Sequence, residues 1–228
     1  MGRSEVGTLR YGLSHRSASS KDLNKTAETV KVLVACEFSG IVRDAFAARG
    51  HDAWSCDLLP SETEGNHYQG NVIPYLSRGW DLLIAHPPCT SLTNAGVCHL
   101  YDGEARNEQR WADMGEGAAF FKRLLNSEIP RKAIENPLPH KYAVKEIGRK
   151  YDQRIQPWMF GEPETKGICL WLEGLPPLMT TCNVKNQMIK LPQREQQRVH
   201  YMAPGPNRAK ERSRFFPGIA AAMAEQWG

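Results

Sequence analysis

The sequence has no closely paired cysteines, no long apolar run and no internal repeat. Its six cysteines, at positions 36, 56, 89, 98, 169 and 182, form no CxxC pair. This spacing argues against a structural zinc site and a disulfide framework, and it is typical of a reducing compartment. No apolar stretch approaches the roughly 20 residues that a helix needs to cross a bilayer. Since the first residues also lack the apolar region of a secretory signal, we expect a cytoplasmic protein with no metal and no membrane contact.

Net charge is also small, at only +4, but it is unevenly distributed. Residues 185–214 contain eight Lys or Arg and only two Asp or Glu, while residues 1–31 contain six against three. The rest of the chain is therefore net acidic. A basic segment beside an acidic body favours contact with a polyanion such as nucleic acid. A solvated basic loop is the alternative interpretation of a patch of this size.

The 228 residues, 41% of them hydrophobic, suffice for one α/β domain with a substantial core. Residues 1–29 are rich in Ser and Lys and have no apolar period, which predicts a disordered basic tail. We expect the folded domain at residues 30–228. A short basic insertion at about 173–214, rich in Pro, Gln and Arg, interrupts it.

The first part of this domain alternates short apolar strands with a helix. Residues 30–36 and 52–56 predict strands, and residues 41–48 place their apolar side chains on one helical stripe between them. Residues 58–70 are polar and predict a loop, and residues 80–85 predict a third buried strand. This order predicts an α/β fold with a doubly wound, mostly parallel, Rossmann-like sheet.

The rest of the chain has a weaker pattern. The predicted elements are a helix at 104–126, a buried strand at 132–134, two β-like runs at 151–160 and 166–172, and a final helix at about 216–227.

The most informative motif is Pro87-Pro88-Cys89, which directly follows an apolar run. Proline cannot donate to a sheet ladder, so the two prolines end the strand and stiffen the turn. In a doubly wound sheet, ligand crevices form at the carboxyl ends of the strands. Cys89 is therefore a candidate nucleophile. A small buried hydrophobe is the alternative interpretation of a free cysteine.

Other predicted strands also end in polar residues, and their carboxyl ends converge on one crevice. Asp57 lies 21 residues after Cys36, a spacing that suits an acid that binds a ribose. A helix cap is the alternative role for Asp57, and a surface turn cap is the alternative for Glu135. The full set at these ends is Glu37, Phe38, Ser39, Gly40, Asp57, Cys89, Glu135 and Asn136.

These residues resemble the DNA cytosine-5 methyltransferases. The turn at 87–89 is similar to the family's Pro-Cys nucleophile turn, and Glu135-Asn136 is similar to its Glu-Asn-Val motif. Residues 38–41 resemble the family's cofactor-binding start, and residues 70–72 resemble its adenine-contacting motif. The ending at residues 216–219 is similar to that of a compact phage-encoded subgroup.

The resemblance implies S-adenosylmethionine as methyl donor and a cytosine base in DNA as acceptor. It assigns Cys89 as nucleophile, Glu135 as the acid at ring nitrogen 3, and Asn136 as a residue that orients the acid or the base. An acid in this role would need a raised pKa. The implied cofactor-binding residues are Glu37, Phe38, Ser39, Gly40, Asp57, Asn71 and Pro87.

The matches cover about residues 32–137, and the chain departs from the family pattern in places. Val42-Arg43 stands where the family usually has two glycines, and residues 173–214 are short for a target-recognition domain. We expect DNA contact through the basic segment 185–214 and the loop 90–103. Two alternatives stay open: a methyltransferase that acts on RNA or a free cytosine nucleotide, and a nucleic-acid-binding protein that has lost catalysis.

Overall fold

A computed structural model of the protein describes residues 1–2 and 28–228. The predicted tail at residues 1–29 lies for the most part outside these described residues. Within the described residues, no helix is both long and apolar enough to cross a membrane.

The first half of the fold is a run of parallel strands. Its elements are β1 (Lys31–Ala35), α1 (Ile41–Ala47), β2 (Asp52–Asp57), β3 (His67–Gln69), a 3₁₀ helix (Ile73–Tyr75) and β4 (Leu82–Ala85). The strand β3 was not expected, since residues 58–70 are polar. It pairs with β2 at the sheet edge, where Tyr68 stacks on Trp54 of β2 with ring centroids 4.6 Å apart.

The middle of the chain adds the longest helix and the central strand of the second half. Its elements are α2 (Asn94–Val97), the hairpin strands β5 (Tyr101–Asp102) and β6 (Ala105–Arg106), α3 (Glu108–Leu125), β7 (Arg131–Pro137) and α4 (Lys141–Ile147). Asn107 ends the preceding loop and its side chain accepts the Arg110 N–H, which explains why α3 begins there.

The last part returns to the sheet and then leaves it. Its elements are β8 (Gln153–Ile155), a 3₁₀ helix (Pro157–Met159), β9 (Ile168–Glu173), α5 (Lys185–Met188), α6 (Gln193–Gln196), α7 (Arg208–Ser213) and α8 (Pro217–Trp227). The β-like run predicted at 151–160 is wrong beyond Ile155, because Pro157 begins the 3₁₀ turn.

The seven-stranded sheet has the order β3-β2-β1-β4-β7-β9-β8. Only β9 is antiparallel to its neighbours, so the predicted doubly wound, mostly parallel, Rossmann-like fold is confirmed. The strand order reverses between β1 and β4, which pair in parallel from Val32 with Leu82 to Ala35 with Ala85. Such a reversal leaves a crevice at the carboxyl ends of the two strands.

Helices cover both faces of the sheet. One face packs its apolar side chains against α1 and α8, and Trp227 of α8 is fully buried there. The other face packs against α3 and α4, with Trp171 of β9 at its centre. Both faces are buried, as the apolar runs of β1 and β4 require.

A buried arginine ties the loop after β2 to α1. The Arg43 side chain is only 1% exposed, and its guanidinium donates to the hydroxyls of Ser55 and Ser61, each at 3.1 Å, and to the Glu64 carbonyl at 2.9 Å. The Asp44 carboxylate lies 2.8 Å from its Nε. Arg43 therefore serves the fold as a hub of hydrogen bonds beneath this loop.

Replacing Arg43 tests this role. Arg43→Met keeps the aliphatic stem but removes the donor to the buried Ser55 hydroxyl and to the Glu64 carbonyl. We expect the free energy of unfolding in urea to fall by about 2–3 kcal/mol. The matched control is Arg49→Met, at an exposed arginine just past α1. This substitution should change the free energy of unfolding by less than about 0.5 kcal/mol. Equal effects of the two substitutions would contradict the buried role of Arg43.

Candidate active site

Two turns meet at the crevice between β1 and β4. The first, residues 36–40, connects β1 to α1, and the second, residues 86–89, follows β4. The His86 N–H donates to the Ala35 carbonyl at 3.0 Å, which extends the pairing of the two strands by one residue. Because both turns leave the sheet at the same height, their side chains face one another.

The first turn holds a buried carboxylate against the start of a helix. Cys36 adopts a left-handed backbone conformation (φ 58°), which is strained for a non-glycine residue. The chain turns there so that Glu37 reaches the N-terminus of α1. Its two carboxylate oxygens accept the N–H groups of Val42 at 2.6 Å and Arg43 at 3.2 Å. Glu37 therefore caps α1, a structural role for one of the predicted cofactor-binding residues.

The rest of this turn is compact. Gly40 precedes α1 with φ 76°, and a side chain there would clash with Thr63 and Arg43. Phe38 and Ser39 are buried, and the Ser39 hydroxyl lies 3.4 Å from both the Glu37 carboxylate and the Ile41 N–H. Burial raises the pKa of Glu37, against the lowering effects of nearby His86 and of the N–H groups that it caps.

The second turn presents the candidate nucleophile. Pro87 is buried, and Cys89 is half-buried. The Cys89 carbonyl accepts the N–H groups of Leu92 at 3.1 Å and Thr93 at 3.2 Å, which rigidifies the turn. Thr93 also bridges to Pro139, just past β7. The turn at Cys89 is thereby tied to the end of the strand that contains Glu135.

A histidine and a glutamate form the centre of the site. His86 Nδ1 lies 3.3 Å from Glu135 Oε2, and each side chain is about one-tenth exposed, at 9% and 10%. The other polar atoms of the pair, His86 Nε2 and Glu135 Oε1, are buried and have no hydrogen-bond partner among the described residues. Buried polar atoms are rarely left unpaired, so this edge has unmet capacity to bind a ligand.

The charges at the site set the protonation of Glu135. Burial by itself would raise the pKa of Glu135, but the hydrogen bond with His86 and the nearby Lys166 outweigh it and lower that pKa. The direction is opposite to the raised pKa that the acid role requires. Glu135 is therefore an ionised carboxylate in the free protein.

The thiol of Cys89 lies within reach of the same charges. Burial raises the pKa of Cys89 and the Glu135 carboxylate raises it further, while Lys166 and Arg212 act to lower it. Burial also raises the pKa of Cys36 to about 12. Since a thiolate is the reactive form, both cysteines are weakly nucleophilic in the free protein at neutral pH.

Asn136 does not join Glu135. Successive residues of a strand point to opposite faces. Glu135 lies opposite Leu170 on the face covered by α1 and α8, while Asn136 lies opposite Cys169 on the face covered by α3 and α4. Asn136 is 1% exposed, and within the described part of the chain neither side-chain amide atom has a partner.

The two remaining predicted cofactor residues lie at neighbouring strand ends. Asp57 ends β2 beside the first turn, since its charge contributes to the raised pKa of Cys36. Its Oδ1 accepts the Leu59 N–H at 2.9 Å. Asn71 is exposed, and its side chain accepts the Ile73 N–H at 3.0 Å, which caps the following 3₁₀ turn.

Part of the basic segment crosses the site as a strap, defined as residues 208–216. Lys210 and Arg214 both contact the Glu62 carboxylate, at 2.8 and 2.9 Å. Phe215 packs on the His86 ring with centroids 4.5 Å apart. With Ser213, it closes a cavity of about 10 Å³ that is lined by residues 36–39 and His86.

Sequence reasoning missed several residues of this site. His86, Lys166 and Phe215 are not part of the predicted set, although His86 directly precedes the prolines of the motif at 87–89, while Arg212 falls within the predicted basic segment 185–214. That position was the available signal for His86. Lys166 and the strap come from distant parts of the chain, and only the folded arrangement brings them to the site.

Two methyltransferases are among the solved structures that resemble the chain. No family model matches the chain, and no curated protein matches it. A structure assigned as a DNA modification methyltransferase encoded within an E. coli prophage has 17% identity and a TM-score of 0.40, covering 72% of this chain and 56% of that chain. The Entamoeba histolytica methyltransferase EhMeth has 15% identity and a TM-score of 0.44, covering 69% of this chain and 58% of that chain.

The chain spans less than two thirds of either neighbour. At these TM-scores the likeness supports no functional conclusion, and the fold assignment rests on the sheet topology described above.

The order of thiol reactivity follows from these surroundings. At pH 7, iodoacetamide should alkylate the exposed Cys98 and Cys182 about tenfold faster than Cys89. The raised pKa of Cys89 lowers the fraction of its thiol that is present as reactive thiolate. Rates measured by peptide mass spectrometry at Cys89 should still increase above pH 9. A Cys89 rate that levels off below pH 8 would contradict this electrostatic description.

Proposed function

We propose that the protein is an S-adenosylmethionine-dependent methyltransferase that acts on carbon 5 of cytosine in DNA through a covalent adduct with Cys89. One observation supports this most directly. A half-buried thiol and a buried carboxylate lie at the ends of neighbouring parallel strands, close enough for the charge of Glu135 to raise the pKa of Cys89. A pyrimidine bound between them would meet both groups.

The ionised state of Glu135 favours an aminopyrimidine. Its Oε1 is buried and has no partner among the described residues, so it accepts a hydrogen bond from a ligand. Cytosine offers a 4-amino donor there, whereas thymine offers a carbonyl oxygen that a carboxylate repels. Desolvation makes such a mismatch costly, on the order of 1–3 kcal/mol or more. The site therefore suits cytosine.

The neighbouring turn suits the methyl donor. Asp57 at the end of β2 can bind ribose hydroxyls, and Phe38, Ser39 and Gly40 form the turn beside it. When bound, S-adenosylmethionine supplies an electrophilic methyl group on a sulfonium. The cavity of about 10 Å³ is far smaller than this molecule, so we expect the α7 part of the strap, residues 208–213, to move when it binds.

Val42 and Arg43 do not obstruct this turn. Both side chains are in the interior, at 0% and 1% exposure, and neither lines the cavity. Their N–H groups are occupied by Glu37. The departure from the family's two glycines thus changes the cap of the helix but not the surface of the crevice. This favours an active enzyme over the alternative of a nucleic-acid-binding protein that has lost catalysis.

The chemistry follows from the electron-poor ring of cytosine. The Cys89 thiolate forms a bond to carbon 6, and the displaced electron pair gives carbon 5 enamine character. Ring nitrogen 3 takes up a proton from solvent, which it shares with Glu135 Oε1. Once carbon 5 bears the methyl group, it loses its proton to solvent and the double bond re-forms as the Cys89 thiolate is expelled. Ring nitrogen 3 then returns to solvent the proton that it took up. In duplex DNA the base must first leave the stack, at a cost of a few kcal/mol.

The cations around the thiol favour a nucleic acid over a free base. Lys166 and Arg212 act on Cys89 electrostatically, and Arg212 belongs to the basic segment 185–214. The loop 90–103 follows the nucleophile in the chain, and the exposed hairpin β5–β6 begins in this loop and ends just past it. We assign both segments to backbone contact with DNA, whose phosphates such cations bind.

Acceptor specificity tests the proposal as a whole. The purified protein is incubated with tritiated S-adenosylmethionine and duplex DNA, single-stranded DNA, RNA or deoxycytidine nucleotides. Duplex DNA should be the labelled acceptor. Methylation of RNA or nucleotides alone would show that one of these, and not DNA, is the substrate. Absence of methylation in every acceptor would overturn the proposed function.

Removal of the nucleophile should abolish turnover. Cys89→Ala should lower methyl transfer by at least about a thousandfold because the adduct cannot form, while the fold is retained. Cys182→Ala, on an exposed cysteine outside the site, is the matched control and should retain activity. DNA with 5-fluorocytosine should trap a covalent adduct, because fluorine cannot leave as a proton does. An adduct mapped to another cysteine would reassign the nucleophile.

Replacing the carboxylate should affect chemistry more than binding. Glu135→Gln keeps the shape of the side chain but cannot share a proton with ring nitrogen 3. We expect kcat to fall about a hundredfold, with a much smaller change in KM, in steady-state methyl transfer to duplex DNA. A defect confined to KM would show that Glu135 contributes only to binding.

A further inference from the structure

His86 links the two halves of the site. Its backbone N–H continues the β1–β4 pairing, and its Nδ1 lies 3.3 Å from Glu135 Oε2. Because an ionised carboxylate only accepts hydrogen bonds, Nδ1–H is the donor. This bond uses one oxygen of Glu135 and leaves the other, Oε1, without a partner among the described residues.

The imidazole is held in place from its far side. The Phe215 ring packs on it with centroids 4.5 Å apart and planes tilted by 47°. Phe215 is itself buried, at 6% exposure, and follows Arg214, which the Glu62 carboxylate binds. Rotation of the imidazole away from Glu135 would therefore require the strap to move.

We propose that His86 is a positioning residue, whose Nδ1–H bond holds one oxygen of the Glu135 carboxylate and directs the other, Oε1, to the acceptor base. The assignment of that base rests on the proposed function. The bond itself acts on Cys89 in the free protein, so its effect can be measured without turnover.

Two charged groups act on this pair, and they come from different elements. Glu37 approaches from the turn after β1 and Lys166 from the segment before β9, while Arg212 of α7 acts on Cys89. Cys89 approaches from the turn after β4. Burial opposes ionisation of Glu135, and the His86 hydrogen bond is the largest effect that offsets it.

Loss of the His86–Glu135 hydrogen bond should therefore lower the pKa of the Cys89 thiol. Without this bond, burial is opposed only by nearby charges such as Lys166, so the pKa of Glu135 rises and its carboxylate is more readily protonated. A protonated Glu135 does not raise the pKa of Cys89, so the thiolate fraction increases. Removing one neighbouring charge shifts a pKa by about one unit, which corresponds to about a tenfold change in thiolate at neutral pH.

Two substitutions separate the hydrogen bond from the packing. His86→Phe keeps a ring against Phe215 but has no donor for Glu135. His86→Asn has an amide donor near the position of Nδ1 but loses the ring. Glu135→Gln and the double variant His86→Phe/Glu135→Gln complete the set, and thermal unfolding monitored by circular dichroism confirms that each variant is folded.

The readouts are the pH dependence of Cys89 alkylation by iodoacetamide, followed by peptide mass spectrometry, and kcat for methyl transfer to duplex DNA. His86→Phe should shift the alkylation profile to lower pH, with about tenfold faster alkylation at pH 7 and at least tenfold lower kcat. His86→Asn should resemble the wild type within about threefold in both readouts. Glu135→Gln should shift the profile as His86→Phe does, and the double variant should add nothing further.

Three outcomes would overturn the proposal. An unshifted profile in His86→Phe would show that the histidine does not control the charge of Glu135. Faster alkylation at every pH, without a shift, would indicate exposure of Cys89 through loosened packing. If the alkylation profile of His86→Asn shifts while that of His86→Phe does not, the packing of the ring on Phe215 would control Cys89 instead of the hydrogen bond to Glu135. If the wild type transfers no methyl group, the proposed function fails, while the alkylation profiles still decide the role of His86.

Discussion

Parallel pairing of β1 with β4 is the constraint on which the site depends. The two strands are in register up to Ala35 and Ala85, and the His86 N–H continues that register by one hydrogen bond. The chain must then leave the sheet twice at the same height, toward opposite sides of the strand order. The resulting crevice brings residues 36–40 and 86–89 together although they are some 50 positions apart in the sequence.

Two buried carboxylates next to this crevice have different roles because their partners differ. Both oxygens of Glu37 accept backbone N–H groups of α1, so this side chain stabilises the start of a helix. Glu135 receives a hydrogen bond on one oxygen only, from His86. Burial raises the pKa of Glu37, whereas His86 and Lys166 lower that of Glu135 despite its burial. The Glu135 carboxylate has an oxygen available to bind a ligand, whereas both oxygens of Glu37 are used to stabilise the helix.

The strap gives the basic segment a more specific role than that of a solvated loop. Residues 208–213 form α7, and Glu62 binds both Lys210 and Arg214 beside the first turn. These ion pairs are partly exposed, so each is worth only about 0–1 kcal/mol. The strap is thus held weakly over the site by charge and more firmly by the burial of Phe215 and Phe216 at the start of α8. Such an arrangement allows the α7 part to move while α8 stays packed on the sheet.

The amino-acid pattern by itself determined the strand–helix order, the doubly wound sheet and the place of Cys89 just past a strand, because an apolar run that stops at Pro marks a strand end locally. Glu135, expected just after a strand, lies within β7, which continues to Pro137. The pattern could not indicate β3, a three-residue edge strand within a polar stretch, nor the separation of Glu135 from Asn136, which depends on how β7 is set in the sheet. Only the tertiary structure brought His86, Lys166 and the strap to the thiol. The protonation of Glu135 and Cys89 was decided there as well, because burial and the distances between charges exist only once distant segments have packed together.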